Sequence, residues 1–469
     1  MNNIKKSITS QYQHVVMISL DSLRSDCISG ISSGFCGKPL FFKTSAIDRL
    51  IKEGTCLRNC ISAAPYTSAS HAAYFTGCWP RKNGVYEFFN RTLGKPTIFQ
   101  LAKKENIKTV FQTDFPIILG SSLGFDRGVD HYFIESEEKA FKCVIKNSKE
   151  KTISFFHFGG IHYPYGFHKL KFAPKDFPEK VDSLERSLGL KRAKDQADML
   201  DESFRNSRDK DFLLRYKNII DHLWANKRYD ELHRLYGEGI DYFFKHRFNK
   251  FIQKVTDFID KNNGLLILFA DHGEEWSAES RGHSNSISDN VLRVPVIFYG
   301  KGVKKNVLVT ELARTIDVTP TISKYFLAKE NHFDGLPIDL ASPSALGKRA
   351  ALAQVWRVGN RSKVYTHQQK ILKKGKMIRP LATKLEKEAY YEGEFAITRE
   401  YSGDKSLVRE RLFRNTGRKL VLSPKNKKIS VRFGSELQKY NSLKPKKAGR
   451  LTKVAESIAE DLQSLGYSV

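Results

Sequence analysis

Four places in the chain put reactive side chains at the ends of apolar runs. Asp21 follows His14–Leu20, and Asp271-His272 follow Gly264–Ala270. His157 lies in the run Thr152–Phe158, and His162 stands just beyond it. Each run is short and rich in branched or aromatic residues, so each reads as a buried strand that empties into polar groups. The fourth place is Tyr66-Thr67-Ser68-Ala69-Ser70-His71, which runs into an apolar, helix-like segment closed by Thr76-Gly77. A hydroxyl in the first turn of a helix sits among unpaired N–H groups at the positive end of the dipole. A tetrahedral anion is readily held there. Thr67 is therefore either a helix cap or a nucleophile.

Oxygen donors with one imidazole suit a divalent cation and leave positions open for a substrate oxygen. Such an ion beside Thr67 would stabilise its alkoxide and neutralise charge on a transferring group. Asp21 could instead cap the turn that follows it. The two histidines beside Gly159-Gly160 could ligate metal or move protons.

The elements that must position these residues alternate in type. Ile47–Gly54 and Pro96–Lys103 read as helices, and Lys108–Gln112 and Val291–Tyr299 as further strands. Residues 172 to 262 are charged and periodic, with Tyr216, Ile219, Ile220 and Leu223 at helical spacing, and read as an inserted set of helices. The expected fold is α/β, a mainly parallel central sheet sandwiched by helices. From about residue 342 to 469 lysine and arginine rise. Short runs (Val364–His367, Leu407–Arg414, Ile429–Phe433) suggest antiparallel strands, with a closing helix over Val454–Leu465. Residues 1–341 are thus expected to form the catalytic domain and 342–469 a small basic α+β subdomain.

The chain has 469 residues, 40% hydrophobic and 12% aromatic, a globular composition. Its six cysteines, Cys27, Cys36, Cys56, Cys60, Cys78 and Cys143, contain no CxxC pair, which argues for reduced thiols rather than a zinc-thiolate site. The first 14 residues lack the apolar region of a signal peptide, and no run is long enough to span a bilayer. A cytoplasmic protein is expected. The net charge of +28 calls for an anionic partner, with nucleic acid left open.

Taken together, these stretches resemble the alkaline phosphatase superfamily, and within it the sulfatase-like hydrolases and transferases. The resemblance rests on Asp21-Ser22-Leu23-Arg24-Ser25-Asp26, Ser45-Ala46-Ile47-Asp48-Arg49-Leu50 and Thr67-Ser68-Ala69-Ser70-His71 with Thr76-Gly77 and Pro80. Gly124-Phe125-Asp126, Asp271-His272-Gly273-Glu274 and Asp317-Val318-Thr319-Pro320 follow in the family's order. It implies metal coordination by Asp21, Thr67, Asp271 and His272, with zinc, manganese, magnesium or calcium as the ion. His157, His162 and His283 fall where related phosphoethanolamine transferases carry histidines, for a second metal or the substrate. Sulfatases place a cysteine or serine at the nucleophile position for conversion to formylglycine. Thr67 stands there instead, with Ala69 for the motif's proline and His71 for its arginine, and Ser22 replaces a second aspartate.

The expected function is metal-dependent hydrolysis or transfer on a phosphate ester, a phosphodiester above all, or on a sulfate ester. Thr67 would be the nucleophile, His162 or His283 the acid, and His71 a further catalytic group. The substrate would be anionic, with a glycan or lipid headgroup as candidate carriers. A sulfatase acting on an anionic glycan is the alternative enzyme, and a non-catalytic polyanion-binding protein the alternative of another class.

Overall fold

The computed structural model describes residues 11–87, 93–116, 118–121, 123–163, 165–190, 208–327, 332–358, 383–403, 405–414 and 424–443. The sequence runs expected to be buried strands form the centre of one sheet. Its strands are β1 (His14–Leu20), β2 (Thr55–Ile61), β3 (Lys108–Thr113), β4 (His131–Ile134), β5 (Thr152–Phe158) and β6 (Gly264–Phe269). After the small hairpin β7 (Trp276–Ser277) and β8 (Ser280–Arg281) come β9 (Arg293–Gly300), β10 (Val307–Val309) and β11 (Ala313–Arg314).

The spatial order is β10-β2-β9-β6-β1-β5-β3-β4, with β11 also pairing β2. Only β9 runs antiparallel to its neighbours β2 and β6. Every residue of β1, β5 and β6 is buried, as strands covered by helices on both faces must be. In register Ser19 lies opposite His157 on one side and Phe269 on the other. The carboxyl ends of β5, β1 and β6 therefore open side by side, where open α/β sheets keep their ligands.

Among the described residues of 172–262 are the helices Phe177–Ser187, Arg208–Ala225, Tyr229–Phe243 and Asn249–Lys261. Tyr216, Ile219, Ile220 and Leu223 are buried, so their spacing marks a packed face. Among the described residues no helix is long and apolar enough to cross a membrane.

Beyond residue 342 the chain builds a second, antiparallel sheet, β12 (Ala350–Val358), β13 (Thr383–Glu392), β14 (Phe395–Tyr401) and β15 (Leu407–Arg414). One of the three short runs is corrected: Ile429–Phe433 lies inside the helix Pro424–Ser442, not in a strand. Phe433 and Leu437 sit four residues apart and pack on Leu352, Ile397 and Leu412 of the sheet, a helical spacing that a five-residue window hides. Val364–His367 and Val454–Leu465 lie outside the described residues.

Candidate functional site

Helix Thr67–Thr76 is buried on every side, which its run of Ser, Ala and Thr permits by letting neighbours approach closely. Ser62 and Ser70 each donate a hydroxyl hydrogen bond of 2.7 Å to the carbonyl of Asp271, and Tyr74 donates to Ala270 at 2.9 Å. The helix start is thereby fixed to the end of β6. Gly77 closes the helix at φ +62°, a left-handed cap that glycine adopts without strain.

Thr67 Oγ1 lies 3.2 Å from Asp21 Oδ2 and 3.3 Å from His272 Nε2. Ligand atoms of Asp21, Asp271 and His272 lie within 4.8 Å of one another, and all three residues are buried. Ser22, held at φ +64°, donates its backbone N–H to Asp271 Oδ1 at 3.2 Å and its hydroxyl to Asp21 Oδ1 at 2.7 Å. A left-handed serine at this point is local strain that aims two donors at two carboxylates. His272 Nδ1 donates to the Gly273 carbonyl at 3.0 Å, which leaves Nε2 with its lone pair facing Thr67.

The charge balance of this cluster is incomplete. Asp271 Oδ2 is buried and accepts no hydrogen bond; its nearest imidazole nitrogens, on His272 and His71, are 3.4 and 3.7 Å away. Burial first, and then the charge of Asp21, push the Asp271 carboxyl well above its ordinary value. Asp21 goes the other way: burial would raise it, but the His157 hydrogen bond and the surrounding imidazoles draw it well below. Burial lowers His272 to about 3, so its imidazole is neutral. An orphaned carboxylate oxygen, a second carboxylate and a neutral imidazole lone pair in one buried space fit a divalent cation.

The other histidines divide into two groups. His157 Nε2 donates to Asp21 Oδ2 at 3.1 Å and its Nδ1 lies 3.4 Å from Thr113 Oγ1, so both ring nitrogens are engaged. His71 likewise donates to the Thr67 carbonyl at 2.8 Å and meets Ser19 Oγ at 2.9 Å. Those two rings lie against the cluster from below. His283 stacks on His272 at 4.1 Å, and His162 stands 5.2 Å from His283 on the outer side. His162 Nδ1 donates to the Tyr163 carbonyl at 2.8 Å, which frees Nε2.

Sequence reasoning gave no role to Glu274, Ser22 or Arg24. Glu274 meets His283 Nδ1 at 3.2 Å, and burial pushes its carboxyl up to about 7. Arg24 is buried and donates to the Glu274 carbonyl at 3.0 Å while pairing with Asp26 at 2.7 Å. The Asp-His-Gly-Glu run held the signal for Glu274, and the stretch Asp21–Asp26 contained Ser22 and Arg24 without showing what either would contact.

Comparison with known proteins bears on the fold and the family. The chain is 23% identical over 362 residues to a low-salt glycan biosynthesis sulfotransferase of Haloferax volcanii, covering 74% of this chain and 69% of that protein. Its fold resembles a protein solved with its substrate D-glucosamine-2-N,6-O-disulfate, at TM-score 0.61 and 14% identity over 93% of this chain and 99% of that one. It also resembles the phosphonate monoester hydrolase of Agrobacterium radiobacter, at TM-score 0.60 and 12% identity over 92% and 95% of the two chains. The profile of the Sulfatase family matches residues 13–326, from β1 to beyond β11, and the chain belongs to that family.

Proposed function

We propose that this protein transfers a phosphoryl or sulfuryl group from an anionic ester through Thr67, with phosphoesters, phosphodiesters above all, as the preferred donors. The observation that supports this most is the hydroxyl of Thr67 held between Asp21 and His272 at the start of a buried helix. Asp21, Asp271, His272 and Thr67 would hold a divalent ion, which when bound neutralises the threonine alkoxide and the charge of the group in transit. Thr67 Oγ attacks phosphorus or sulfur in line, with Asp21 Oδ2 and His272 Nε2 in reach of its proton. The ester oxygen departs with a proton from His162 or His283, whose second nitrogens are fixed by Tyr163 and Glu274. Water or an acceptor hydroxyl then attacks the substituted threonine and restores it. His71 and His157 act as supports for Thr67 and Asp21 rather than as proton donors to substrate.

A sulfuryl transfer to or from a glycan is the second reading, favoured by the glycan sulfotransferase relative. Parallel assays on nitrophenyl sulfate, phosphate monoester and phosphodiester separate the two. Thr67→Ala is expected to lower turnover by roughly 10³ or more while the metal content stays the same. Mass spectrometry of wild type stopped during turnover should find a phosphorylated or sulfated Thr67. Undiminished activity of the alanine variant would refute the nucleophile, and metal-free, inactive protein that binds polyanions would favour a non-catalytic role.

A further inference from the structure

The subdomain beyond residue 341 carries 29 lysines and arginines against 11 acids, so it holds +18 of the chain's +28. Its sheet has two different faces. One face, with Ala351, Ala353, Val355, Ala389 and Tyr391, packs on Ile61, Leu292 and Leu312 of the larger domain. From the same side of β15, Arg411 reaches Glu279 at 2.6 Å. The opposite face carries the helix Pro424–Ser442, the outermost layer here among the described residues.

The helix buries Ser430, Phe433, Gly434 and Leu437 and turns Lys427, Lys428, Val431, Arg432 and Lys439 outward. Val431 is 67% exposed, set among those cations. The pairing of β15 skips Val408, so Leu407 lies opposite Tyr401 on the side of the sheet that carries the helix, where Glu410 bonds Ser430. Leu407 is 49% exposed. Arg432 pairs with Glu392 and Lys439 with Glu436, whereas Lys427 and Lys428 have no acidic partner among the described residues. Cations interleaved with protruding aliphatic side chains suit a surface that is anionic and then apolar. A nucleic acid would call for aromatic platforms, and none is exposed on this helix.

We infer that this outer face docks the protein on an anionic lipid bilayer, with Lys427 and Lys428 at the headgroups and Val431 and Leu407 at the acyl boundary. The inference is independent of the chemistry at Thr67. The full-length protein should sediment with phosphatidylcholine vesicles containing phosphatidylserine and not with phosphatidylcholine alone. Raising salt from about 0.1 M to about 1 M should release it, since screening shortens from ~10 Å to ~3 Å. The double variant Lys427→Glu, Lys428→Glu should bind about tenfold or more weakly. Val431→Ser should bind a few-fold more weakly at unchanged charge. Both should keep wild-type circular dichroism and wild-type activity on a small soluble ester. Equal sedimentation with neutral vesicles, salt-insensitive binding, or undiminished binding of the double variant overturns the proposal. So does retention on DNA or heparin with none on vesicles.

Discussion

Two groups of buried carboxylates sit at the carboxyl ends of this sheet, and they are balanced in opposite ways. At the end of β3 and β4, Asp114 and Glu135 meet cations on all sides. Arg247, from the inserted helices, holds Asp114 at 2.8 Å and Glu137 at 2.6 Å, and Lys169 and Lys171 hold Glu135 at 2.7 and 2.8 Å. Burial would raise both acids, but Arg247 with His168 draws Asp114 below its ordinary value, and His168 with Lys169 does the same for Glu135. At the ends of β1 and β6, no lysine or arginine among the described residues pairs with Asp21 or Asp271. Phe115 stands between the two groups, 5.2 Å from His157 and from His162 and 6.1 Å from His168. A closed ion-pair network is a scaffold; an open one of the same residue types asks for an external cation. Asp114 joins the two, since it also accepts the Gly159 N–H at 2.9 Å and so fixes the turn that carries His162.

The largest effect on stability is expected on the balanced side. Arg247→Met leaves Asp114 buried, and Glu137 half-buried, without their cation, which costs about 3–5 kcal/mol. Urea unfolding at neutral pH measures it. The pH dependence sharpens the point: because the folded values of Asp114 and Glu135 are depressed, their contribution is present above the ordinary carboxylate range. It is lost as pH falls through that range, below about 4. Arg247→Met should flatten this acid limb, and a limb as steep as wild type would contradict the assignment.

A divalent ion should act only on the unbalanced side. At a concentration a hundredfold above its dissociation constant it adds about 2.7 kcal/mol, read as a rise in Tm that chelator reverses. The increment should be nearly the same in wild type and Arg247→Met, since Phe115 stands between the groups and Asp114 meets the β5 turn rather than Asp21, Asp271 or His272. An increment that disappears in Arg247→Met would mean that the two clusters are one.

The unbalanced cluster was visible in the sequence and the balanced one was not. Asp21 and the pair Asp271-His272 each end a continuous apolar run, and two such runs side by side in a parallel sheet must open together. Asp114, Glu135 and Arg247 lie up to 133 residues apart with no such run to align them. The strand β2 was also hidden, because Arg58 and Asn59 interrupt Thr55–Ile61 where the pairing with β9 shifts register. The antiparallel strands beyond residue 342 alternate charge on a sheet only partly covered, which leaves little apolar signal. His157 and His71 were candidates from the strand end and from the family motif, yet neither signal could tell that both ring nitrogens of each are already engaged. That depends on Thr113 and Ser19, neighbours brought in by other strands.

The smallest effect is the most discriminating. In chelated protein at neutral pH, Asp271→Asn should change stability by about 1 kcal/mol or less, in either direction. The substitution removes a carboxylate that burial and Asp21 already disfavour. The folded value of Asp271 is raised, so its contribution is present at low pH and lost as pH rises through that value. Chelated wild type should therefore gain stability relative to Asp271→Asn between neutral pH and the upper edge of the ordinary carboxylate range. Asp114→Asn should behave in the opposite sense, with a loss of several kcal/mol at neutral pH because Arg247 loses a partner. Thermal melts of the two variants at both pH values make the test. If Asp271→Asn falls as far as Asp114→Asn, the carboxylate at the end of β6 is already compensated within the protein, and the case for a cation there fails.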